Sequence, residues 1–166
     1  MIRSFGKWKP SISEKAVVDE SAIVMGNVVV GDYASIWPGA IIRAGENEVV
    51  IEKNAAVMDK AFVEGHGRVV VGEGSIISHS AVLHGSKIGK NVLVGIGAIV
   101  LEVNVGDNSI VAAGSVVTKD FGENSFILGV PAKRVRDVKE EEIDGIRKTV
   151  QEIRENAKYL KTDNSN

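Results

Sequence analysis

Residues 71–99, VGEGSIISHSAVLHGSKIGKNVLVGIGAI, divide into VGEGSI, ISHSAV, LHGSK, IGKNVL and VGIGAI. Each piece opens on Val, Ile or Leu, and glycine often follows. A small residue stands fifth in the six-residue pieces: Ser75, Ala81, Val92 and Ala98. The register runs outward in both directions. Upstream it begins at Val18 with VDESAI, VMGNVV, VGDYAS, IWPGAI and IRAG, where ENEVV interrupts. It resumes as IEKNAA and VMDKAF, then VEGHGRVV with two extra residues. Downstream come an LEVN-type step, VGDNSI, VAAGSV and VTKDFG, ending at Gly122. A large apolar residue, a tight turn and a small residue at every sixth step suit short parallel strands wound into a coil. The opening residue fills the interior, and the small fifth residue points the same way where room is short.

The chain of 166 residues fits one domain with a real core. Its expected parts are a lead-in over 1–17, the repeats over 18–122, a connector over 123–137, a helix over 138–161 and a tail over 162–166. The helix rests on Ile143, Ile146, Val150, Ile153, Ala157 and Leu160, which fall at alternating three- and four-residue steps. Glu140, Glu141 and Glu142 favour its N-terminal end through the helix dipole. The net charge is −2, so no basic field points to nucleic acid or to an anionic membrane. Without cysteine there are neither disulfides nor thiolate metal sites. The opening MIRSFGKWKPSI has no apolar leader core, and no apolar run has the length of a membrane span, so a cytoplasmic protein is expected.

The register resembles the hexapeptide-repeat family, whose fold is a left-handed parallel β-helix with three units per triangular lap. The resemblance implies an all-β solenoid here, with the C-terminal helix packed along it. Many sixth positions, which should point outward, are large and apolar: Ile23, Val29, Ile41, Phe62, Ile76, Val82, Leu93, Ile99, Ile110 and Val116. Such a surface needs cover. The helix supplies part of it, and further copies of the chain supply the rest. Homotrimers are the usual arrangement in the family.

The histidines are His66, His79 and His84. On a strand, residues five apart point to opposite faces, so His79 and His84 are not brought together by regular structure alone. Units three apart stack at about 4.8 Å. This places Arg43, Glu64 and His84, the second residues of their units, in one column at one corner. His79 is third in its unit and belongs to another side of the triangle. In a threefold assembly, Glu64 and His84 of one chain would meet His79 of the next.

At these residues the sequence resembles the gamma-class carbonic anhydrases. ISHSAVLHG matches the stretch in which two histidines from adjacent subunits bind zinc, and GVPAKRVR (129–136) extends the likeness, although hexapeptide acyltransferases share it. The resemblance implies a zinc site between subunits (iron(II) or cobalt being alternatives) with His79 and His84 as ligands. It implies reversible hydration of carbon dioxide to bicarbonate. Glu64 stands where the family has its third histidine, and two histidines with one glutamate also form a recognised zinc set. His66, in EGHGR, is the alternative third ligand.

Arg43 and Asp59 are the candidate catalytic residues. Arg43 would position an anion such as bicarbonate, or else form an intersubunit ion pair. Asp59 reads either as a base or as a turn acceptor. Two positions depart from the family: Met58 replaces a glutamine that would orient the water on the metal, and Gly45 replaces the aspartate of an RGD-like turn. With the carboxylate ligand, these departures imply slow turnover. The competing readings are an acyltransferase using acetyl-coenzyme A and a catalytically silent metal-binding homologue.

Overall fold

In the computed structural model, which describes residues 1–161, the repeats wind into a parallel β-solenoid of about seven turns with a single C-terminal helix. This is the solenoid and packed helix expected from the register. The tail over 162–166 lies outside the described residues.

Three strand stacks make the sides. The first contains Phe62–Gly65, Val82–His84, Ile99–Leu101 and Val116–Val117, preceded by the opening halves of Ile23–Val30 and Ile41–Ile51. The second contains Ser11–Ile12, the closing halves of those two long strands, Val69–Val71, Lys87–Ile88 and Asn104–Val105. The third runs from Val17–Val18 through Ser35–Ile36, Ala56–Val57, Ile76–Ile77, Leu93–Val94 and Ile110–Val111 to Ser125–Gly129. Pairing within these stacks is parallel, as repeated units of one hand require. The segment over 123–137 closes the third side with an antiparallel hairpin, Ser125–Gly129 against Ala132–Asp137. The lead-in contributes the strands Ile2–Arg3 and Ser11–Ile12.

The interior is built as the register requires. The unit-opening residues Ile36, Ile42, Ile51, Val57, Val63, Ile77, Leu83, Val94, Val100 and Val117 are all 0 % exposed. Each such burial contributes about 1.5–3 kcal/mol. Small fifth residues fill the corners, and where they are serines their hydroxyls tie coils together. Ser75 Oγ donates to the Gly89 carbonyl at 2.7 Å and accepts from the Val92 N–H at 2.9 Å. Glycine at the second position has a steric reason. A Cβ on Gly72 would stand 2.3 Å from the Gly89 carbonyl oxygen of the next coil.

The sixth positions separate by side. Ile76, Leu93 and Ile110 point out of the third side, against the helix Glu140–Ala157 (α1). They form a second apolar cluster with Ala56, Met58, Trp37, Ile143, Ile146, Val150 and Ile153. The helix start is fixed by Glu142. Its carboxylate accepts from the Lys139 backbone N–H at 2.9 Å and from both terminal nitrogens of Arg136 at 2.7 and 2.8 Å. The first side carries Ile23, Ile41, Phe62, Val82, Ile99 and Val116 outward, all half-buried, and among the described residues no element packs over them as α1 packs over the third side. No helix among the described residues is long and apolar enough to cross a membrane.

Candidate metal centre

Strand register builds the column at the end of the first side. Arg43 pairs with Glu64, and Glu64 pairs with His84 one coil further on. Glu64 Oε1 accepts from Arg43 Nη2. Its other oxygen, Oε2, lies 3.9 Å from His84 Nε2. The Arg43 guanidinium also lies 5.8 Å from the Phe62 ring centroid on the outward apolar stripe. Both Glu64 and His84 are only partly open, with side chains 25 % and 29 % exposed.

His79 sits at the other edge of the same side, where the chain turns in from Ile76–Ile77. It lies one coil above Asp59: the Ser80 N–H donates to the Asp59 carbonyl at 3.0 Å. The His79 Nδ1 lies 3.0 Å from Asp59 Oδ2, which leaves Nε2 pointing away from that pair. Within one chain, then, Arg43, Glu64 and His84 come together, while His79 and Asp59 form a separate pair. Among the described residues of a single chain, no group of three or more His, Asp or Glu side chains is arranged to hold a metal ion.

Two ligands on a tetrahedral zinc, each bonded at about 2.0–2.1 Å, stand about 3.3 Å apart. The 3.9 Å between Glu64 Oε2 and His84 Nε2 is close to that edge. Arg43 occupies Oε1, so one carboxylate oxygen is held and the other is free to bind. Two imidazoles and a carboxylate also suit zinc or iron(II) by donor type. The residues fit such an ion when His79 is supplied by another copy.

His66 lies against His84. Its ring stacks on His84 with centroids 4.5 Å apart, and its Nε2 lies 3.7 Å from Glu102 Oε1. Glu102 was missed from the sequence. It stands one coil above His84 but one step further along, so a rule that compares equal positions passes over it, whereas a long side chain reaches the diagonal neighbour. Met58 is packed under α1, 7 % exposed, so position 58 serves helix docking. Gly45 is in the long strand Ile41–Ile51, and a Cβ there would meet Phe5 Cε1 at an ordinary 3.7 Å.

The chain is similar to several known proteins. Residues 86–119 match the family model described as the hexapeptide repeat of succinyl-transferase. A Methanocaldococcus jannaschii protein named a probable carbonic anhydrase is 39 % identical over 82 % of this chain and 89 % of its own length. A carbonic anhydrase of Geobacillus kaustophilus is 31 % identical over 97 % of this chain and 91 % of its own. Among solved structures, a provisionally named acetyltransferase from Bacillus cereus has a TM-score of 0.93 and 26 % identity, covering 98 % of this chain and 97 % of that one. The hexapeptide-repeat solenoid and these relatives define the class. The chain belongs to the gamma-class carbonic anhydrase-like family of hexapeptide-repeat proteins.

Proposed function

We propose that the protein is a homotrimeric, zinc-dependent lyase that interconverts carbon dioxide and bicarbonate at sites between subunits. Each site would take Glu64 and His84 from one chain and His79 from its neighbour. The observation that carries the reading is the column itself: Glu64 Oε2 and His84 Nε2 converge at 3.9 Å while Arg43 holds the second carboxylate oxygen. The uncovered apolar side supports the shared site. Its stripe from Ile23 to Val116 lies between the His79 edge and the His84 edge, so packing that side against a neighbour brings both edges to the interface.

Zinc bound there supplies a Lewis acid that turns water into a nucleophile near neutral pH. The chain's own residues supply the rest. Arg43 orients Glu64 and keeps a cationic fork beside the place where an anionic product forms. Asp59 holds the His79 ring through Nδ1, so that Nε2 faces outward to the neighbour. Half-burial of Glu64 and His84, with Phe62 and Val82 alongside, becomes water exclusion once a second copy covers the stripe. The family's water-orienting glutamine is replaced here by Met58, whose side chain packs under α1 and offers no hydrogen bond, so turnover is expected to be slow.

The test is metal analysis of the purified full-length protein combined with carbon dioxide hydration, on the wild type and on His84→Ala. About one zinc per chain, with hydration lost in the variant, is the expected result. Stoichiometric metal without turnover would overturn the lyase reading in favour of a silent metal-binding homologue. The Bacillus cereus likeness favours a second reading, an acetyl-coenzyme A-dependent transferase. Consumption of acetyl-coenzyme A in the absence of metal would support it. Repeating the assay with iron(II) under anaerobic conditions decides between the two metals that the donor set suits.

A further inference from the structure

The Nδ1 side of His84 is occupied by a residue that the functional reading above does not use. Glu102 Oε1 lies 3.5 Å from His84 Nδ1 and 3.7 Å from His66 Nε2. The two imidazoles are stacked with a 23° angle between their planes, so the carboxylate caps a pair of rings. The backbone places it there: the Glu102 N–H donates to the His84 carbonyl at 2.7 Å, at a corner. At that corner Glu102 has φ +53°, in the left-handed region. Four of the other non-glycine residues with this conformation are Asn54, Asn91, Asn108 and Asn124, the residue type that tolerates it. Glutamate is a poor local choice for such a turn.

We infer that Glu102 is a positioning residue for the metal centre. Its carboxylate takes the Nδ1 proton of His84 as a hydrogen bond, which fixes the tautomer whose Nε2 is bare. It also keeps that nitrogen turned toward Glu64 Oε2, 3.9 Å away. His66 stacks on the ring and limits its rotation. Asp59 stands in the same relation to His79, with Nδ1 3.0 Å from Oδ2, so both imidazoles present the same nitrogen. The inference rests on the reading of His84 as a ligand, because a ring with no ion to bind would need no particular tautomer.

The test uses the full-length protein labelled with nitrogen-15 in histidine and stripped of metal. It is studied at about pH 8.5. Long-range proton–nitrogen spectra then report which ring nitrogen of His84 carries the proton. The wild type is expected to show the Nδ1–H form. In Glu102→Gly the preference is lost, and zinc affinity, measured by chelator competition, falls by about 10–100-fold. The melting temperature should stay level or rise, because glycine is at ease at positive φ. Glu102→Gln keeps an acceptor oxygen at the same reach and should retain the Nδ1–H form and most of the affinity. A wild-type His84 protonated at Nε2 would overturn the inference. So would a Glu102→Gly variant with unchanged tautomer and affinity, or one whose affinity falls only in step with its melting temperature. If the wild type binds no zinc while the tautomer still answers to Glu102→Gly, the metal reading fails and the control of the ring by Glu102 stands.

Discussion

Mixing His79→Ala chains with His84→Ala chains is expected to restore zinc binding that neither variant has alone. Within one chain the two imidazoles sit at opposite edges of one side. His79 lies above Asp59, and His84 ends the strand Val82–His84, one coil above Glu64. That strand alone advances about 10 Å, against the roughly 3.3 Å between two donors on one zinc. A shared ion therefore needs two chains. In trimers reassembled at random from equal amounts, a site is intact only under two conditions. The edge giving His79 must come from a His84→Ala chain, and the edge giving Glu64 and His84 must come from a His79→Ala chain. Half of one times half of the other leaves about one quarter of the sites whole. Zinc per chain after denaturation, mixing, refolding and gel filtration should thus recover to about a quarter of the wild-type value, with hydration following in proportion. Mixing Glu64→Ala with His84→Ala is the internal control. Both residues lie on the same edge of the same chain, so no combination rebuilds a site and nothing should return. Equal recovery in both mixtures, or none in the first, would refute the division of donors between chains.

Leu83→Ala removes a side chain that is 0 % exposed between Val63 and Val100, and is expected to lower stability by about 2–5 kcal/mol in denaturant titration. Gly72→Ala puts a Cβ 2.3 Å from a backbone oxygen and should destabilise by about 3 kcal/mol or prevent folding. Gly122→Ala, with nothing within 4 Å of its Cβ, should leave the melting temperature level or slightly raised. Glu142 is held down to about 2 from 4.5, first by the Arg136 guanidinium and then by the Lys139 N–H. Its stabilising contribution is complete above about 4.5, where an unfolded chain is also ionised, and is lost as pH falls toward about 2. Glu142→Gln should therefore flatten that part of the acid limb of melting temperature against pH; identical slopes in wild type and variant would refute the assignment.

The fold was legible because its signal is repeated. A six-step alternation of large and small apolar residues states the inward positions outright, and Ile36, Ile77, Leu83 and Val94 occupy them with no exposure. Every lap poses the same packing problem, so an irregularity such as VEGHGRVV perturbs one corner without shifting the register beyond it. The pairing of Glu64 with His84 holds across that insertion. Which sixth-position residues lie under the helix was less legible. The period assigns all of them outward, and only the side that α1 crosses separates Ile76, Leu93 and Ile110 from Phe62 and Val82. Met58 shows the same limit. Its place in the unit says that it is near the turn, while the neighbouring helix decides that its side chain is used for packing.

The site was half legible for a related reason. A register fixes which Cα atoms stack, and Arg43, Glu64 and His84 stack as it requires. It does not fix how side chains lean at a corner, where the backbone leaves strand geometry and long groups reach along diagonals. His66 was a candidate ligand because it is an imidazole close to the column. In the fold it stacks on the face of His84 with its own Nε2 toward Glu102. Glu102 was invisible for the converse reason, being offset by one step in its unit. The remaining proposed donor, His79, leaves a trace in the sequence only as a misfit: an imidazole on the wrong edge for its companion. In a solenoid that leaves one apolar side uncovered, such a misfit is informative. On the proposed reading, an imidazole with no metal-binding companion in its own chain, at the rim of an uncovered apolar side, serves a neighbouring copy, and its pairing with Asp59 through Nδ1 leaves Nε2 for that role.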